Sequence, residues 1–347
     1  MKALVFDGPG RRAWREVPDP VVQDPQDAVV RVDAVTICGT DLHILKGDVP
    51  TVDPGRILGH EAVGTVVEVG AGVSTVAAGD RVLISCITSC GRCEYCKNGS
   101  YGQCLGGGGW ILGHRIDGTQ AQYVRVPFAD TSTHRLTETI SSEAALMLAD
   151  ILPTAYEVGV LSAQVRPGDS VVIVGAGPIG LAAVLTAQLF SPSVLAVVDL
   201  DENRLAVARA AGATHALTAG PDTTEQVRDL TAGLGADVAI EAVGTAPTFE
   251  ACVEMVRPGG HVANVGVHGS PATLHLERDW IRDLTITTGL VDTRTTPTLL
   301  RMVEAGQIDV GRLVTHRFAL EDVDEAYGVF ADAAKTSALK VVMTGTR

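Results

Sequence analysis

Four of the seven cysteines lie within fifteen residues, at a spacing that suits the binding of one metal ion. They are Cys90, Cys93, Cys96 and Cys104. Gaps of two residues let successive sulfur atoms converge on one ion, and the longer gap before the last cysteine lets a loop complete a tetrahedron. Four thiolates leave no coordination position for a substrate. The spacing therefore predicts a structural zinc site, which would stabilise a loop with little apolar core of its own.

The same cysteines permit three other interpretations, namely a pair of disulfides, an iron–sulfur cluster and a zinc ribbon that binds nucleic acid. Disulfides are disfavoured because the number of cysteines is odd and the N-terminal run Met1–Phe6 is too short for a secretory signal. The net charge of 27 − 41 = −14 argues against nucleic acid and anionic membranes as partners. Together these features indicate a cytoplasmic protein.

A second set of residues that can bind metal is spread over the first 150 positions. It consists of Cys38, His60, Glu61 and Asp150. Taken singly, each has an ordinary explanation, because a lone cysteine most often packs in a core and a lone histidine is usually a satisfied surface or core group. Two further candidates for chemistry, Thr40 and His43, have alternative interpretations as a helix cap and as a plain surface residue.

A glycine-rich segment in the middle of the chain has the GxGxxG pattern of a dinucleotide-binding loop. Gly175 permits a tight turn after an apolar strand, Gly177 lets the backbone approach a pyrophosphate, and Gly180 allows the next helix to pack closely. Asp199 ends the following predicted strand, where an acid binds ribose hydroxyls and repels a 2′-phosphate, so NAD is favoured. Arg204 nearby keeps NADP open, and a glycine-rich turn of an unrelated α/β sheet remains the other alternative.

Two regions with different sequence patterns contain these residues and must position them. From Met1 to about Val126, short β-rich runs broken by glycine and proline predict a compact, partly barrel-like β unit. Further along, uniformly apolar strands alternate with helices, which predicts a parallel sheet covered on both faces. The strands predicted for that sheet are Ser170–Val174, Val194–Asp199, Ala236–Glu241 and His261–Val265.

The composition fits a protein of two globular domains. At about 150 residues per domain, 347 residues are enough for two, and the apolar fraction of 46% is sufficient for their cores. The segment Ser170–Val198 carries no charge over 29 residues. Its closely spaced glycines and proline nevertheless favour a turn between buried elements over a membrane-spanning helix.

Taken together and in this order, the motifs resemble those of the zinc-dependent medium-chain alcohol dehydrogenases over nearly the whole chain. The resemblance is carried by Cys38–His43, Gly59-His60-Glu61, the four cysteines, Gly175–Gly180 with Asp199, and Asn264–His268. It implies an α/β protein with a GroES-like β-rich catalytic domain and a doubly wound parallel Rossmann sheet that binds NAD. The catalytic domain would comprise residues 1–152 and 293–347, and the NAD-binding domain residues 153–292.

The resemblance implies a catalytic zinc ion besides the structural one, and therefore two zinc ions per chain. Cys38, His60 and Asp150 would hold it and leave a fourth position for water or alcohol, with Glu61 as a nearby alternate ligand. Many members have a second cysteine where this chain has Asp150. The aspartate is similar to the bacterial secondary-alcohol dehydrogenase branch, in which Trp110 corresponds to a tryptophan of the substrate pocket.

The resemblance also implies a proton path and a set of cofactor contacts. Thr40 would accept the alcohol proton and pass it through the cofactor ribose to His43, while Asp41 would orient His60 through its other ring nitrogen. Lys340 would reach the cofactor phosphates. The implied cofactor-binding residues are Thr154, Gly175, Gly177, Pro178, Ile179, Gly180, Asp199, Arg204, Val243, Val265, Val267, Leu290 and Lys340.

The expected function is zinc-dependent hydride transfer between NAD and a small or medium secondary alcohol or its ketone. The first alternative is a polyol or sugar-alcohol dehydrogenase of the same superfamily, which a pocket with several polar groups would favour. A more distant alternative is a dinucleotide-sensing protein without chemistry, which the intact set of metal ligands disfavours. Bacterial members are often tetramers, so the resemblance implies a homo-oligomer.

Overall fold

The computed structural model describes residues 1–345. Within them the strands are β1 Lys2–Gly8, β2 Arg11–Glu16, β3 Ala28–Thr36, β4 Ala62–Val69, β5 Arg81–Ile84, β6 Tyr123–Val126, β7 Thr133–Arg135, β8 Ser170–Val174, β9 Val194–Asp199, β10 His215–Thr218, β11 Ala236–Glu241, β12 Val256–Asn264, β13 Thr285–Thr288, β14 Val314–Ala319 and β15 Lys340–Thr344. The helices are α1 Gly39–Lys46, α2 Glu94–Lys97, α3 Ala129–Ser132, α4 Ser142–Leu146, α5 Ile151–Thr154, α6 Pro178–Ala187, α7 Glu202–Ala210, α8 Thr223–Leu230, α9 Ala246–Met255, α10 Leu276–Asp279, α11 Thr296–Glu304, α12 Val323–Ala331 and α13 Ala333–Thr336.

The described chain divides into two compact units. The first is made of residues 1–150, 291–307 and 313–345, and the second of residues 151–290 and 308–312. The resemblance predicts that residues 308–312 belong to the catalytic domain, whereas they join the second unit, in which Arg312 Nη1 donates to the Ala210 carbonyl at 2.7 Å. The last two residues of the predicted catalytic domain, 346 and 347, lie outside the described residues.

The first unit is built on a mainly antiparallel sheet with the neighbour order β14-β15-β3-β4-β5-β7, and β6 also pairs with β3. Strands β1 and β2 form a separate antiparallel hairpin. The valine-rich strand β3 places Val30, Val32 and Val35 in the core of this unit. Short β-branched runs therefore build the β-rich unit that the sequence predicts.

The second unit is built on a parallel sheet with the order β10-β9-β8-β11-β12-β13. The chain proceeds from β8 outward to β10 and then begins the other half beside β8 with β11, which is the strand order of a doubly wound sheet. The central strand β8 is buried along its whole length, as expected for a parallel sheet covered on both faces. The predicted parallel sheet is confirmed, and β8, β9 and β11 have the predicted bounds.

The edges of this sheet differ from the prediction. Strand β12 begins at Val256 rather than at His261, and β10 and β13 were not predicted. Both missed strands lie at an edge, and most of their residues are only partly buried. Because an edge strand is covered less than a central one, it need not carry the continuous apolar run by which buried strands are recognised.

The long uncharged segment folds as β8, the glycine-rich turn, α6 and most of β9. Pro178 is the first residue of α6, where its missing N–H costs no helical hydrogen bond. Within residues 1–345, no helix has the length and apolarity needed to cross a bilayer. The predicted turn between buried elements is confirmed.

Two glycines inside helices lead to opposite predictions for replacement by alanine. A Cβ on Gly180 in α6 would lie 1.7 Å from the carbonyl oxygen of Gly175, whereas a Cβ on Gly328 in α12 would meet no atom within 4 Å. We expect Gly180→Ala to lower the free energy of unfolding by about 1–3 kcal/mol, because the loop and helix must move apart. Gly328→Ala should leave it unchanged or raise it by up to about 1 kcal/mol. Chemical denaturation measures both, and equal stabilities would contradict the close packing.

Candidate functional site

The candidate ligands of the catalytic metal come together in the first unit. The set consists of Cys38, His60, Glu61 and Asp150, whose potential ligand atoms all lie within 4.8 Å of one another. The register of the sheet brings two parts of the set together, because Val35 of β3 pairs with Ala62 of β4. Residues that follow β3 therefore lie beside residues that precede β4. Cys38 is the N-cap residue of α1, and Asp150 follows α4.

Two of the ligand atoms converge on one carboxylate oxygen. His60 Nε2 lies 3.4 Å and Cys38 Sγ lies 3.5 Å from Oδ2 of Asp150. A thiol, an imidazole and a carboxylate form a donor set that suits tetrahedral zinc and leaves one position for another ligand.

The acidic members of the set are buried together, and each disfavours ionisation of the others. Burial and the Asp150 carboxylate raise the pKa of the Cys38 thiol. Burial also raises the pKa of Glu61, although the Lys340 ammonium acts against it. Burial alone would lower the pKa of His60, but hydrogen bonds with Asp150 and Cys38 raise it well above its ordinary value. This surplus of acidic groups fits a divalent cation, which would balance their charge and hold the thiol as thiolate.

Lys340 pairs with Glu61, a carboxylate of the ligand set. Its ammonium is buried in the first unit and donates to both carboxylate oxygens of Glu61, at 2.9 and 2.8 Å, and to the carbonyl of Ile37 at 3.2 Å. The Lys340 side chain is 1% exposed. The Glu61 carboxylate compensates the buried charge of Lys340. Contact between Lys340 and the cofactor phosphates stays a prediction.

Asp41 lies on the Nδ1 side of the His60 ring. Its Oδ1 is 4.0 Å from Nδ1 of His60, and its Oδ2 accepts a hydrogen bond from the Cys38 N–H at 2.9 Å. The separation from His60 exceeds that of a direct hydrogen bond. The position is nevertheless the one from which a carboxylate orients a metal-binding imidazole.

The two residues of the expected proton path lie on α1. Thr40 Oγ1 is 3.6 Å from Cys38 Sγ, so its hydroxyl lies beside the ligand set. Thr40 is in the first turn of α1 and Cys38 is the N-cap, so the structure does not support the interpretation of Thr40 as the cap. His43 is half-buried, and its Nδ1 lies 2.8 Å from Oδ2 of Asp48.

Trp110 forms an aromatic wall beside the same site. Its ring meets that of His60 edge-on at a centroid distance of 6.3 Å and stacks on His114 at 4.3 Å. Among the described residues its buried indole N–H has no hydrogen-bond partner.

Cys86 is a neighbour of the ligand set that the sequence analysis missed. Its Sγ lies 3.7 Å from Oδ1 of Asp150, and burial raises the pKa of this thiol well above its ordinary value. The group therefore stays protonated and can donate to the carboxylate. A single cysteine outside a metal-binding spacing gave no signal that could have identified it.

The sulfur atoms of the four-cysteine segment form a second cluster, also in the first unit. Their ligand atoms lie within 4.8 Å of one another. Sγ of Cys90 and Sγ of Cys96 are 3.9 Å apart, near the roughly 3.8 Å expected for two sulfurs bound tetrahedrally at about 2.3 Å from zinc. A disulfide requires about 2.05 Å. All seven cysteines are free, so the disulfide interpretation is excluded.

Backbone N–H groups surround these sulfur atoms. The N–H groups of Cys96 and Leu105 donate to Sγ of Cys93 at 3.5 and 3.4 Å, and this hydrogen bonding lowers the pKa of Cys93 to about 6. Burial instead raises the pKa of Cys96 to about 12. Sγ of Cys104 accepts two further N–H groups, each at 3.4 Å. Donors arranged around sulfur favour the thiolate form that a metal binds.

The glycine run that follows packs directly against the cluster. A Cβ on Gly106 would lie 2.4 Å from Sγ of Cys90, and a Cβ on Gly108 would lie 2.5 Å from the carbonyl oxygen of Thr88. Any side chain at either position would displace the cysteine loop. The sequence alone predicts no role for this run, because the need for residues without a side chain arises only once the sulfur atoms are in place.

In the second unit, the glycine-rich loop connects β8 to α6. Gly175 has φ +100°, a conformation that favours glycine. A Cβ on Gly177 would meet no atom within 4 Å, so this part of the backbone is open to a ligand. Helix α6 begins at Pro178, and the N–H groups of Ile179 and Gly180 lie in its first turn, where they suit an anion.

Asp199 connects the end of β9 to this loop. Its Oδ2 accepts from the N–H of Ala176 at 2.6 Å, and its Oδ1 accepts from the N–H of Asp201 at 2.9 Å. The carboxylate is thus placed at the carboxyl end of the strand next to β8. Arg204 lies in α7, and its buried Nε has no hydrogen-bond partner among the described residues.

The other predicted cofactor-binding residues of this unit follow neighbouring strands. Val243, Val265 with Val267, and Leu290 come after β11, β12 and β13. Val243, Val267 and Leu290 are exposed. Apolar groups at the carboxyl edge of a doubly wound sheet lie where such sheets bind their ligands. Thr154 ends α5 in the same unit.

Comparisons with known proteins agree with both units. Residues 24–137 match the family model of the alcohol dehydrogenase GroES-like domain, and residues 178–305 match that of the zinc-binding dehydrogenases. An alcohol dehydrogenase of Cupriavidus necator is 37% identical over 352 aligned positions, which cover 96% of this chain and 95% of the relative.

Two solved structures are similar over their full length. The apo form of zinc dependent alcohol dehydrogenase 2 from Streptococcus pneumonia has a TM-score of 0.96 and 50% identity, covering 100% of this chain and 99% of that one. Alcohol dehydrogenase TADH from Thermus sp. ATN1 has a TM-score of 0.90 and 37% identity, covering 100% of both chains. Likeness at this level, over nearly the whole length of sequence and fold, means that the chain belongs to the zinc-dependent alcohol dehydrogenase family of oxidoreductases, which act on small molecules.

Proposed function

We propose that this protein is an NAD-dependent dehydrogenase of small or medium secondary alcohols that also reduces the corresponding ketones. The observation that supports this substrate class is the set of Cys38, His60 and Asp150. Its aspartate is the feature by which the sequence resembles the bacterial secondary-alcohol dehydrogenase branch, whereas many family members have a second cysteine there. A carboxylate is a harder ligand than a thiolate, so a zinc ion held here is a more electron-poor Lewis acid.

Zinc, when bound, polarises the oxygen of the alcohol or ketone, and NAD accepts or returns the hydride. Cys38, His60 and Asp150 hold the metal, while Glu61 is paired with Lys340. The Trp110 ring, 6.3 Å from the ring of His60, supplies an apolar wall that favours hydrocarbon groups over polyols.

Thr40 and His43 move the proton in this proposal. The Thr40 hydroxyl, beside Cys38, accepts the proton of the substrate hydroxyl. His43 exchanges that proton with solvent, because its side chain is 27% exposed. Asp48, whose Oδ2 lies 2.8 Å from Nδ1 of His43, orients the ring.

The proposed cofactors are NAD and two zinc ions per chain. The second zinc is structural and is held by the four-cysteine cluster. Asp199 at the end of β9 favours NAD by binding the ribose hydroxyls and repelling a 2′-phosphate. The proposed assembly is a homo-oligomer, with four chains as in the bacterial branch that the sequence resembles, and the proposed location is the cytoplasm.

Initial rates of NADH formation test the proposed reaction. We expect a short secondary alcohol to react at least about tenfold faster than the matching primary alcohol and faster than sorbitol. The rate should be lost after chelation and in His60→Ala, which should retain one zinc ion instead of two. Activity on sorbitol alone would instead support the polyol alternative. Binding of NAD without turnover of any of the three would contradict the proposed substrate class and leave the fold and the cofactor unaffected.

Replacement of a cysteine in the four-cysteine cluster tests the structural zinc. We expect Cys93→Ser to lower zinc content by one ion per chain and to lower the melting temperature, because the loop loses its metal. Cys252→Ser is the matched control, since Cys252 is buried in the core of the second unit and lies in neither cluster. The metal content of both variants is measured. Unchanged zinc in Cys93→Ser would refute the structural zinc site, and loss of iron would identify an iron–sulfur cluster.

Replacement of Asp199 tests the choice of dinucleotide. We expect Asp199→Gly to shift the ratio of kcat/KM for NADP over NAD by about tenfold or more towards NADP, because a repulsive charge is removed. Asp201→Asn removes a neighbouring charge while keeping a side-chain oxygen for the N–H of Asn203, and should leave the ratio unchanged. The same ratio in wild type and Asp199→Gly would mean that other residues choose the cofactor.

A further inference from the structure

A buried chain of hydrogen bonds connects Tyr327 to Asp41. The Tyr327 hydroxyl donates to Oε1 of Gln120 at 2.8 Å, and Nε2 of Gln120 donates to Oδ2 of Asp41 at 3.0 Å. Tyr327 and Asp41 are each 1% exposed and Gln120 is 0% exposed. Such a chain, isolated from water, is held by its own donors and acceptors.

The direction of each bond in the chain is determined by its partners. Nε2 of Gln120 also donates to the carbonyl oxygen of Thr36 at 3.3 Å, and a carbonyl can only accept. The Gln120 amide nitrogen must therefore face Thr36 and Asp41, which leaves its oxygen for Tyr327. Burial raises the pKa of Tyr327 well above its ordinary value, so the phenol keeps the proton that it donates.

The hydrogen bond from Gln120 engages one carboxylate oxygen of Asp41, and the other oxygen is left to face His60. Oδ2 of Asp41 accepts from Gln120 and from the N–H of Cys38, at 3.0 and 2.9 Å. Oδ1 has no hydrogen-bond partner among the described residues and lies 4.0 Å from Nδ1 of His60. The opposite ring nitrogen of His60 faces Asp150. The carboxylate is thus held with its free oxygen towards the imidazole edge that does not face the ligand set.

The Tyr327 end of this hydrogen-bond chain is also held in place. The guanidinium of Arg12 lies 4.5 Å from the centre of the Tyr327 ring and forms an ion pair of 3.1 Å with Asp324, which is also in α12. Gln120 lies on the segment before β6. The hydrogen bonds from Tyr327 to Asp41 therefore link α12, near the end of the sequence, to α1, near its beginning.

We propose that Tyr327 and Gln120 are positioning residues for the metal-binding histidine. They hold Asp41 so that its Oδ1 accepts from Nδ1 of His60 when Nε2 binds the metal, which fixes the plane of the ring. This inference rests on the proposed role of His60 as a ligand of the catalytic zinc. A carboxylate that orients a ligand histidine commonly changes metal affinity by about 10–100-fold, and the two residues act one step further away.

The release of zinc from the holoenzyme to a colorimetric chelator tests the proposal. We expect Tyr327→Phe, which removes only the hydroxyl, and Gln120→Met, which removes the amide, to release one of two zinc ions about threefold to tenfold faster than wild type. The zinc in the four-cysteine cluster should leave at the wild-type rate and serves as an internal reference. The visible spectrum of protein with Co²⁺ in place of the catalytic zinc should also shift, since it reports the geometry of the ligands.

Thr36→Val is the matched control. It removes a buried hydroxyl of the same unit that donates to Val341 at 2.7 Å, while the Thr36 carbonyl that accepts from Gln120 remains. We expect a lower melting temperature with wild-type zinc release and an unchanged cobalt spectrum. Equal acceleration in Thr36→Val and Tyr327→Phe would overturn the proposal, because general destabilisation would then explain both.

Two further outcomes separate this inference from the function on which it rests. Wild-type zinc release and an unchanged cobalt spectrum in both Tyr327→Phe and Gln120→Met, together with the loss of one zinc in His60→Ala, would overturn the positioning role alone. Full zinc content in His60→Ala would overturn the assignment of the catalytic site itself.

Discussion

The balance of charge in one buried space governs the catalytic part of this protein. Cys38, Glu61 and Asp150 bring three acidic groups within 4.8 Å of one another, and the ammonium of Lys340 beside them is paired with Glu61. Burying an uncompensated ion costs several kcal/mol, so these groups need a cation if they are to be ionised together. The register of β3 against β4 and the start of α1 supply the geometry in which the proposed zinc ion would meet that need.

In the four-cysteine cluster, the proposed structural zinc would take the place of apolar packing. The loop around the four cysteines is held by N–H groups that donate to sulfur and by glycines whose missing side chains leave room for Cys90 and Thr88. Both clusters thus follow one principle, in which the backbone prepares anionic ligands before an ion arrives. They differ in that four thiolates would close one site, whereas three protein ligands would leave a position for substrate in the other.

In the second unit, the arrangement depends on close packing between the glycine-rich loop and α6. A Cβ on Gly180 would lie 1.7 Å from the carbonyl oxygen of Gly175. The loop and α6 can therefore pack this closely only because residue 180 is a glycine. This close approach places the first turn of α6 and Asp199 at the same end of the parallel sheet. The two units therefore divide the chemistry, since one holds the metal ligands and the other carries the features of a dinucleotide site.

By itself, the sequence determined the fold class, the parallel sheet and the two sets of metal-binding residue types. Residue spacing and strand–helix alternation are local properties, and they are sufficient for the Cys90–Cys104 segment and for the glycine loop. Partners far apart in sequence were decided by tertiary structure alone. Lys340 pairs with Glu61 across 279 residues, and Tyr327 bonds to Gln120 across 207. Only the folded polypeptide brings such groups together and removes the water that would otherwise satisfy them. The pairing of Lys340 with Glu61 and the hydrogen bonds from Tyr327 to Asp41 therefore carried no signal in the sequence.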